Sequence, residues 1–301
     1  MHCKIPTACT LCPRRCLADR TKTTGYCGAG PALKAARAAL HFWEEPCISG
    51  TRGSGTVFFS GCSLQCCYCQ NYQISAQQFG TELTVPQLAD IFLRLQEQGA
   101  HNINLVTPTQ YLPWILPALE LAKPKLTLPV VYNTGGYETL ETVQMLDGIA
   151  DIWLTDLKYA SAEKGQEYSS AADYFSVAAQ AVRQMCLQSG PPVLDAQGIL
   201  QKGTIIRHLA LPGNWADTKA VLEFLARELP QGGFLTSLMS QYTPAHRASE
   251  HKYLNRRIYT YEYDRVIRYA VELGLTQGFM QERSSAKEEY TPPFDLTGLK
   301  E

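Results

Sequence analysis

The chain carries 11 cysteines, and their spacing is its most chemically specific feature. Cys62, Cys66 and Cys69 form a C-x3-C-x2-C set, with Tyr68 immediately before the last thiol. Three thiolates this close hold three irons of a cubane cluster and leave the fourth iron without a protein ligand. A cluster that only transfers electrons takes four thiolates. An open coordination position is instead where a substrate or cofactor binds. The same thiols also read as part of a zinc site completed from elsewhere. A second set, Cys9, Cys12, Cys16 and Cys27, reads C-x2-C-x3-C-x10-C. Four thiols so spaced close a tetrahedral zinc site or hold an auxiliary [4Fe-4S] cluster, and Pro13 and Gly25 supply the turns. Cys3 and Cys47 stand as alternative ligands, Cys67 as a bystander and Cys186 as a core residue.

At 301 residues the chain suits one large domain or two smaller ones. With 45% hydrophobic and 18% charged residues, its composition is that of a soluble globular protein. A formal net charge of -1 argues against a protein-wide footprint for nucleic acid or anionic membrane. No apolar run approaches the roughly 20 residues of a membrane helix. The first residues lack the apolar centre of a signal peptide, so a cytoplasmic location is expected. An odd number of cysteines in a reducing compartment favours metal ligands over disulfides.

These cysteines need a scaffold, and the chain supplies an alternation of short β-rich runs with helix-period segments. Strands are expected at Thr56 to Ser60, Asn102 to Val106, Pro129 to Val131, Asp151 to Leu154, Thr204 to Leu209 and Phe234 to Ser240. Helices are expected at Val85 to Gln98, Pro113 to Ala122, Glu138 to Leu146, Asp173 to Gln188, Asp217 to Leu229 and Glu262 to Leu273. Such alternation implies parallel pairing through right-handed crossovers. Six units suit a partial (β/α)6 TIM-type barrel, with an open doubly wound sheet as the alternative. Residues 1–50 form a Cys-rich segment, 51–283 the barrel and 284–301 a tail expected to be mobile after Arg283. The alanine-rich stretch from Pro31 to Leu40 is expected to be helical, Gly50 to Gly55 a linker, and Asp195 to Gly198 a hairpin turn.

Active sites of parallel α/β folds lie at the carboxyl ends of the strands. The loop of Cys62, Cys66 and Cys69 follows the first strand directly. Thr107-Pro108-Thr109, Asn133-Thr134-Gly135-Gly136 and Asp156-Leu157-Lys158 follow the next three. Arg207 and His208 end the fifth, and Gln241 and Tyr242 the sixth. As strand neighbours, Arg207 and His208 face opposite ways.

With the cysteine signature after strand one, Cys69-Gln70-Asn71 beyond it and Asp156-Leu157-Lys158 after strand four, the chain resembles the radical S-adenosylmethionine superfamily. It is most similar to the activating enzymes of glycyl-radical enzymes, such as the pyruvate formate-lyase activating enzymes. The resemblance spans residues 52–283 and implies that Cys62, Cys66 and Cys69 hold a [4Fe-4S] cluster whose free iron chelates S-adenosylmethionine. It also implies reductive cleavage to a 5′-deoxyadenosyl radical, an electron donor such as flavodoxin or ferredoxin, and a glycine in a protein or peptide as hydrogen donor. By the same resemblance Arg207 contacts the cofactor. Asn133, Thr134 and Asp156 match a monovalent-cation site beside the cofactor carboxylate, where Asn133 replaces an aspartate, and Lys158 adjoins that site. The Gly-Gly-Glu-Pro that receives the cofactor amino group is replaced here by Thr107-Pro108-Thr109. Relatives with extra clusters place the insert after the signature cysteines, where this chain has no room, so the N-terminal set is expected to be a separate device. Alternative readings are a radical enzyme acting on a small molecule or RNA, and a zinc-stabilised binding module presenting Arg14, Arg15, Arg20 and Lys22.

Overall fold

The computed structural model describes residues 3–281 and 291–299. Its strands are β1 (Leu33–His41), β2 (Ser54–Phe59), β3 (Thr81–Leu83), β4 (Ile103–Val106), β5 (Val130–Thr134), β6 (Ile152–Asp156), β7 (Val193–Leu194), β8 (Leu200–Leu209), β9 (Leu235–Met239) and β10 (Gly278–Met280). Its α-helices are α1 (Pro46–Ser49), α2 (Tyr72–Ser75), α3 (Val85–Glu97), α4 (Leu112–Ala122), α5 (Leu140–Met145), α6 (Ala162–Ser169), α7 (Tyr174–Ser189), α8 (Trp215–Glu228) and α9 (Thr260–Glu272). Strands run β10-β9-β8-β6-β5-β4-β2-β1-β3 across one 10-stranded sheet, with β7 paired to β8. From β2 to β9 every neighbour is parallel. The sheet is not closed, and the expected six-unit partial barrel is the observed architecture.

The strands form where β-branched and aromatic runs fall between turn signals. The helices form where apolar residues recur on one face. On α3, Leu88, Ile91, Phe92 and Leu95 are buried as that periodicity requires. Thr84 caps it, accepting from the Gln87 backbone N–H at 3.3 Å while Gln87 reaches back. The expected hairpin turn forms, with the Gly198 N–H donating to the Asp195 carbonyl at 3.0 Å. Helix α6 has no counterpart in the sequence reading, because its residues are mostly polar and include Gly165.

The alanine-rich stretch is β1, not a helix. It pairs antiparallel with β2 and β3, with a bulge between Ala35 and Arg37. Helix propensity is a weak prior that tertiary pairing overrides. Small side chains suit this strand because Ala35, Ala36 and Ala38 are all buried. Residues 33–41 therefore belong to the barrel sheet, and the stretch expected as a linker, Gly50 to Gly55, leads from α1 into β2, of which Ser54 and Gly55 are the first two residues. Part of the tail expected to be mobile, up to residue 290, lies outside the described residues. Residues 291–299 pack on β1: the Leu296 N–H donates to the Ala36 carbonyl at 3.0 Å and the Ala38 N–H to the Thr297 carbonyl at 2.9 Å. That contact covers an edge that would otherwise be open for pairing.

Candidate active site

Strand β2 ends at Phe59, and the chain turns at Gly61 into the cysteine loop. Gly61 has φ 86°, and a Cβ there would lie 2.5 Å from the Cys27 carbonyl oxygen, so only glycine fits. Within the loop every signature sulfur accepts a hydrogen bond: Cys62 Sγ from the Leu64 N–H at 3.4 Å, Cys66 Sγ from the Ser169 hydroxyl at 3.1 Å, and Cys69 Sγ from the Ser75 hydroxyl at 3.3 Å. Burial pushes the Cys62 thiol up to about 12 and the Cys69 thiol up to about 11, aided by the neighbouring Cys66. Such thiols stay protonated until a metal displaces the proton. Cys67 is buried in the core, its N–H bonded to the Tyr168 carbonyl and its carbonyl to the Arg247 N–H, both at 2.8 Å. The signature Tyr68 is buried among Tyr159, Tyr168 and Tyr242. Its hydroxyl meets that of Tyr159 at 2.7 Å, which meets Ser169 at 2.9 Å. The aromatic thus anchors the loop and starts a hydroxyl chain that ends on Cys66.

Inside the barrel, Val131, Leu154 and Ile205 join Cys47 and Ile48 of α1 in an apolar plug. Two residues further along the same face of each strand stand Asn133, Asp156 and Arg207. The Arg207 guanidinium donates from Nε to Asp156 Oδ1 at 2.8 Å, from Nη2 to Asn133 Oδ1 at 2.7 Å and from Nη1 to Glu44 Oε2 at 3.1 Å. Lys158 Nζ pairs with Asp156 Oδ2. Glu44 Oε1 also accepts from Asn104 at 3.2 Å and Asn133 at 3.1 Å. Burial would raise Asp156, but Arg207 and Lys158 overcome it and hold the carboxyl below the usual range. For Glu44 burial wins over Arg207, and its carboxyl is raised, as is that of Glu45. Four expected site residues, Asn133, Asp156, Lys158 and Arg207, therefore meet in one network. Arg207, expected to face the cofactor, is engaged on each nitrogen by protein oxygens. Of the residues matched to a monovalent-cation site, Asn133 and Asp156 each accept from this guanidinium through Oδ1.

Thr134 and Thr109 go elsewhere. Strand alternation turns Thr134 away from Asn133, and its hydroxyl donates to the buried Glu138 Oε1. Thr109 donates to the same oxygen at 2.7 Å and accepts from the Tyr132 hydroxyl at 2.9 Å. Burial pushes Glu138 up to about 7, against those two hydroxyls, and its Oε2 has no hydrogen-bond partner. Thr107 stays at the strand mouth in the left-handed region, φ 55°, with its N–H on the Asn133 carbonyl at 2.8 Å. Gln110 ties this turn to the cysteine loop, donating to the Ser60, Gly61 and Thr107 carbonyls at 3.1, 3.0 and 2.8 Å. His208 faces outward as alternation requires, between the Leu157 carbonyl at 2.8 Å and Thr218 at 3.0 Å.

The N-terminal cysteine segment is not separate from this mouth. The Cys27 carbonyl accepts from the Cys62 N–H at 3.1 Å and from Gln78 at 3.1 Å, and Gln65 donates to the Tyr26 carbonyl at 2.8 Å. Arg14 donates to the Ser63 carbonyl at 2.8 Å, the Ser169 carbonyl at 2.7 Å and the Ser170 carbonyl, with its guanidinium 4.2 Å from the Tyr26 ring centroid. Arg20 is fully buried. Of the basic residues read as a binding face, Arg14 and Arg20 are thus consumed by the fold, while Arg15 and Lys22 are exposed. Cys9 and Cys27 are buried, Cys12 is half-buried and Cys16 exposed. Cys3 lies within electrostatic reach of Cys9, but Cys47 is in the plug at the opposite end of the strands. Cys186 is a core residue of α7.

Glu44, Glu45, Glu138, Arg14 and Arg20 were not legible as site residues. The only local signal was the acidic pair Glu44-Glu45 beside Trp43 and Pro46.

Among known proteins, the family described as a 4Fe-4S single cluster domain matches residues 49–109. The uncharacterized protein MJ0674 of Methanocaldococcus jannaschii is 30% identical over 267 residues, which cover 84% of this chain and 71% of that protein. Among solved structures, a domain of a pyruvate-formate lyase-activating enzyme from Bacteroides vulgatus is 16% identical, with 65% of this chain and 91% of that chain covered and a TM-score of 0.38. Streptococcus suis SuiB bound to S-adenosylmethionine is 13% identical, with 73% of this chain and 48% of that chain covered and a TM-score of 0.48. No helix among the described residues is long and apolar enough to cross a membrane.

Proposed function

We propose that this chain, which belongs to the family of MJ0674, is a radical S-adenosylmethionine iron–sulfur enzyme, and that Cys62, Cys66 and Cys69 are the ligands through which it generates a radical for hydrogen abstraction from a protein or peptide. The observation that carries this reading is the cysteine loop: three sulfurs at the strand mouth, each accepting one hydrogen bond, with Cys67 turned into the core. These donors fit a sulfur-ligated cluster, because hydrogen bonds to ligand sulfurs set its potential. When bound, the cluster and S-adenosylmethionine supply one-electron cleavage of the sulfonium carbon–sulfur bond, giving methionine and a 5′-deoxyadenosyl radical.

The chain's own residues then have distinct tasks. Ser169, Ser75 and the Leu64 N–H orient the sulfurs, and Tyr68 fixes the loop against the barrel. Lys158 and the Thr107 turn stand at the mouth, where a charged amino-acid moiety needs polar partners. Arg207, locked by Asp156, Asn133 and Glu44, positions Asn133 and Asp156 rather than binding directly. On the open side of the sheet a cavity of about 520 Å³, lined by Trp43, Glu45, Arg207, Ser237, Met239 and Phe279, offers a substrate segment lateral access to the interior. Such access favours an extended peptide-like hydrogen donor, as in glycyl-radical activation. The test is anaerobic reconstitution with iron and sulfide, then incubation with S-adenosylmethionine and dithionite. A brown protein that forms 5′-deoxyadenosine, and a Cys69→Ala variant that does not, supports the reading. A colourless zinc protein without that product overturns it.

A further inference from the structure

Resting on that reading, we infer that Cys9, Cys12, Cys16 and Cys27 hold a second, redox-active iron–sulfur cluster that passes electrons to the cluster of the signature loop through the Cys27–Cys62 contact. Two independent observations carry this: a direct bonded path between the cysteine sets, and an uncompensated buried cation beside the N-terminal one.

The path is short and mostly covalent. From Cys27 Sγ it runs through that residue's Cβ, Cα and carbonyl, across the 3.1 Å hydrogen bond from the Cys62 N–H, and through Cys62 Cα and Cβ to Sγ. The contact is built in from both sides. Gly61 leaves no space for a Cβ beneath the Cys27 carbonyl, and Gln78 holds the same oxygen at 3.1 Å. Arg14 and Gln65 clamp the two segments together on either side.

The cation is Arg20. It is 0% exposed, its Nη2 donates to the Gly30 and Gln110 carbonyls at 3.2 and 3.1 Å, and its Nη1 lies 3.9 Å from Cys9 Sγ. Its Nε has no hydrogen-bond partner, and no carboxylate stands within ion-pair distance of it among the described residues. A buried guanidinium without a counter-charge is strongly disfavoured. The groups around it are the cysteines: its charge reaches Cys16 and Cys27, and Cys9 also lies beside Cys12 and Cys27. Thiolates coordinated to a metal cluster are anionic and complete the pair. Gly25 keeps the centre clear, since a Cβ there would lie 3.3 Å from Cys16 Sγ and 3.7 Å from Cys27 Sγ.

A cluster suits the set better than one zinc. The Cys27–Cys62 contact gives a direct path between the two cysteine sets, which a redox-active cluster uses and a redox-inert zinc does not. In the transfer one electron leaves the reduced N-terminal cluster and enters the oxidised signature cluster, with no bond made or broken. The N-terminal cluster is re-reduced by a one-electron carrier protein of the flavodoxin or ferredoxin class.

The test uses the full chain, reconstituted anaerobically with iron, sulfide and zinc all present. The wild-type protein is expected to bind about eight irons, as two cubanes, and its reduced form to show magnetic coupling between two clusters by low-temperature electron paramagnetic resonance. In Cys16→Ser, the ratio of flavodoxin-driven to dithionite-driven 5′-deoxyadenosine formation is expected to fall on the order of tenfold or more. About four irons with one zinc, two clusters without coupling, or an unchanged ratio in a variant that has lost the second cluster would each overturn the relay while leaving the radical reading intact. No 5′-deoxyadenosine from wild type with either donor overturns the radical reading and the relay with it.

Discussion

Replacing Arg207 by leucine tests whether the barrel interior is the charge network described. The substitution removes the partner of Asp156, Glu44 and Asn133 at once. Breaking a buried ion pair by deleting one member costs about 3–5 kcal/mol. Here the side chains of Arg207, Asp156 and Glu44 keep 14%, 16% and 10% exposure, and Lys158 still pairs with Asp156, which places the loss near about 3 kcal/mol. With an unfolding entropy of roughly 2.1 cal/mol/K per residue, that lowers Tm by about 5 °C in a chain of 301 residues. The sign of the pH dependence is fixed by the stranded Glu44. Burial already raises the Glu44 carboxyl and loss of Arg207 removes the charge that opposes this, so its contribution is present at low pH and lost as pH rises through the folded value. The Tm deficit of Arg207→Leu should therefore shrink between pH 8 and pH 6. Adding Glu44→Gln should restore part of it, because one stranded charge is gone. Thermal unfolding by circular dichroism at both pH values measures this. A deficit within error of zero, the same at both pH values and accompanied by weakened S-adenosylmethionine binding, would instead make Arg207 a free cofactor ligand and refute the network.

Other predictions follow from the same geometry. Ser169→Ala removes the donor to Cys66 Sγ and should lower the midpoint potential of the signature cluster, measured by redox titration followed by electron paramagnetic resonance; an unchanged potential means that the hydroxyl does not reach the ligand. Glu138, raised from 4.5 to about 7, contributes stability that is complete at low pH and lost as pH rises through its folded value, so wild type should lose up to about 3 kcal/mol between pH 4.5 and pH 7 on its account. Glu138→Gln should flatten that slope in urea unfolding, whereas parallel slopes would contradict the assignment. Gly61→Ala forces a Cβ to 2.5 Å from the Cys27 carbonyl at φ 86°, and should free the N-terminal segment to limited proteolysis; resistance equal to wild type would mean that the segment is held elsewhere.

The parts of this fold that were legible are those governed by local periodicity. Apolar repeats placed helices α3, α4, α7, α8 and α9 to within a few residues, and the alternation of strands and helices implied parallel pairing. The rule that chemistry gathers at strand ends pointed to Asn133, Asp156, Lys158 and Arg207, which share one hydrogen-bond network in the structure. Reading strand ends without their two-residue period misplaced Thr134, which points away from Asn133 to join Thr109 on Glu138. The alanine stretch was misread because its propensity is helical while its environment, between β2 and β3, is a sheet. Glu44 and Glu45 were invisible because their connector enters the barrel from the opposite end, a long-range placement without local pattern. Arg14 and Arg20 read as surface charge because nothing in a cysteine-rich segment announces which cation it will bury.

A cluster held by Cys62, Cys66 and Cys69 would present an open iron to S-adenosylmethionine. The most direct measurement is low-temperature electron paramagnetic resonance of the reduced, reconstituted protein before and after S-adenosylmethionine is added, with the products of the same sample quantified. An open iron gives a changed cluster signal on addition, and methionine and 5′-deoxyadenosine formed in equal amounts. A signal insensitive to S-adenosylmethionine, with neither product formed, would contradict it.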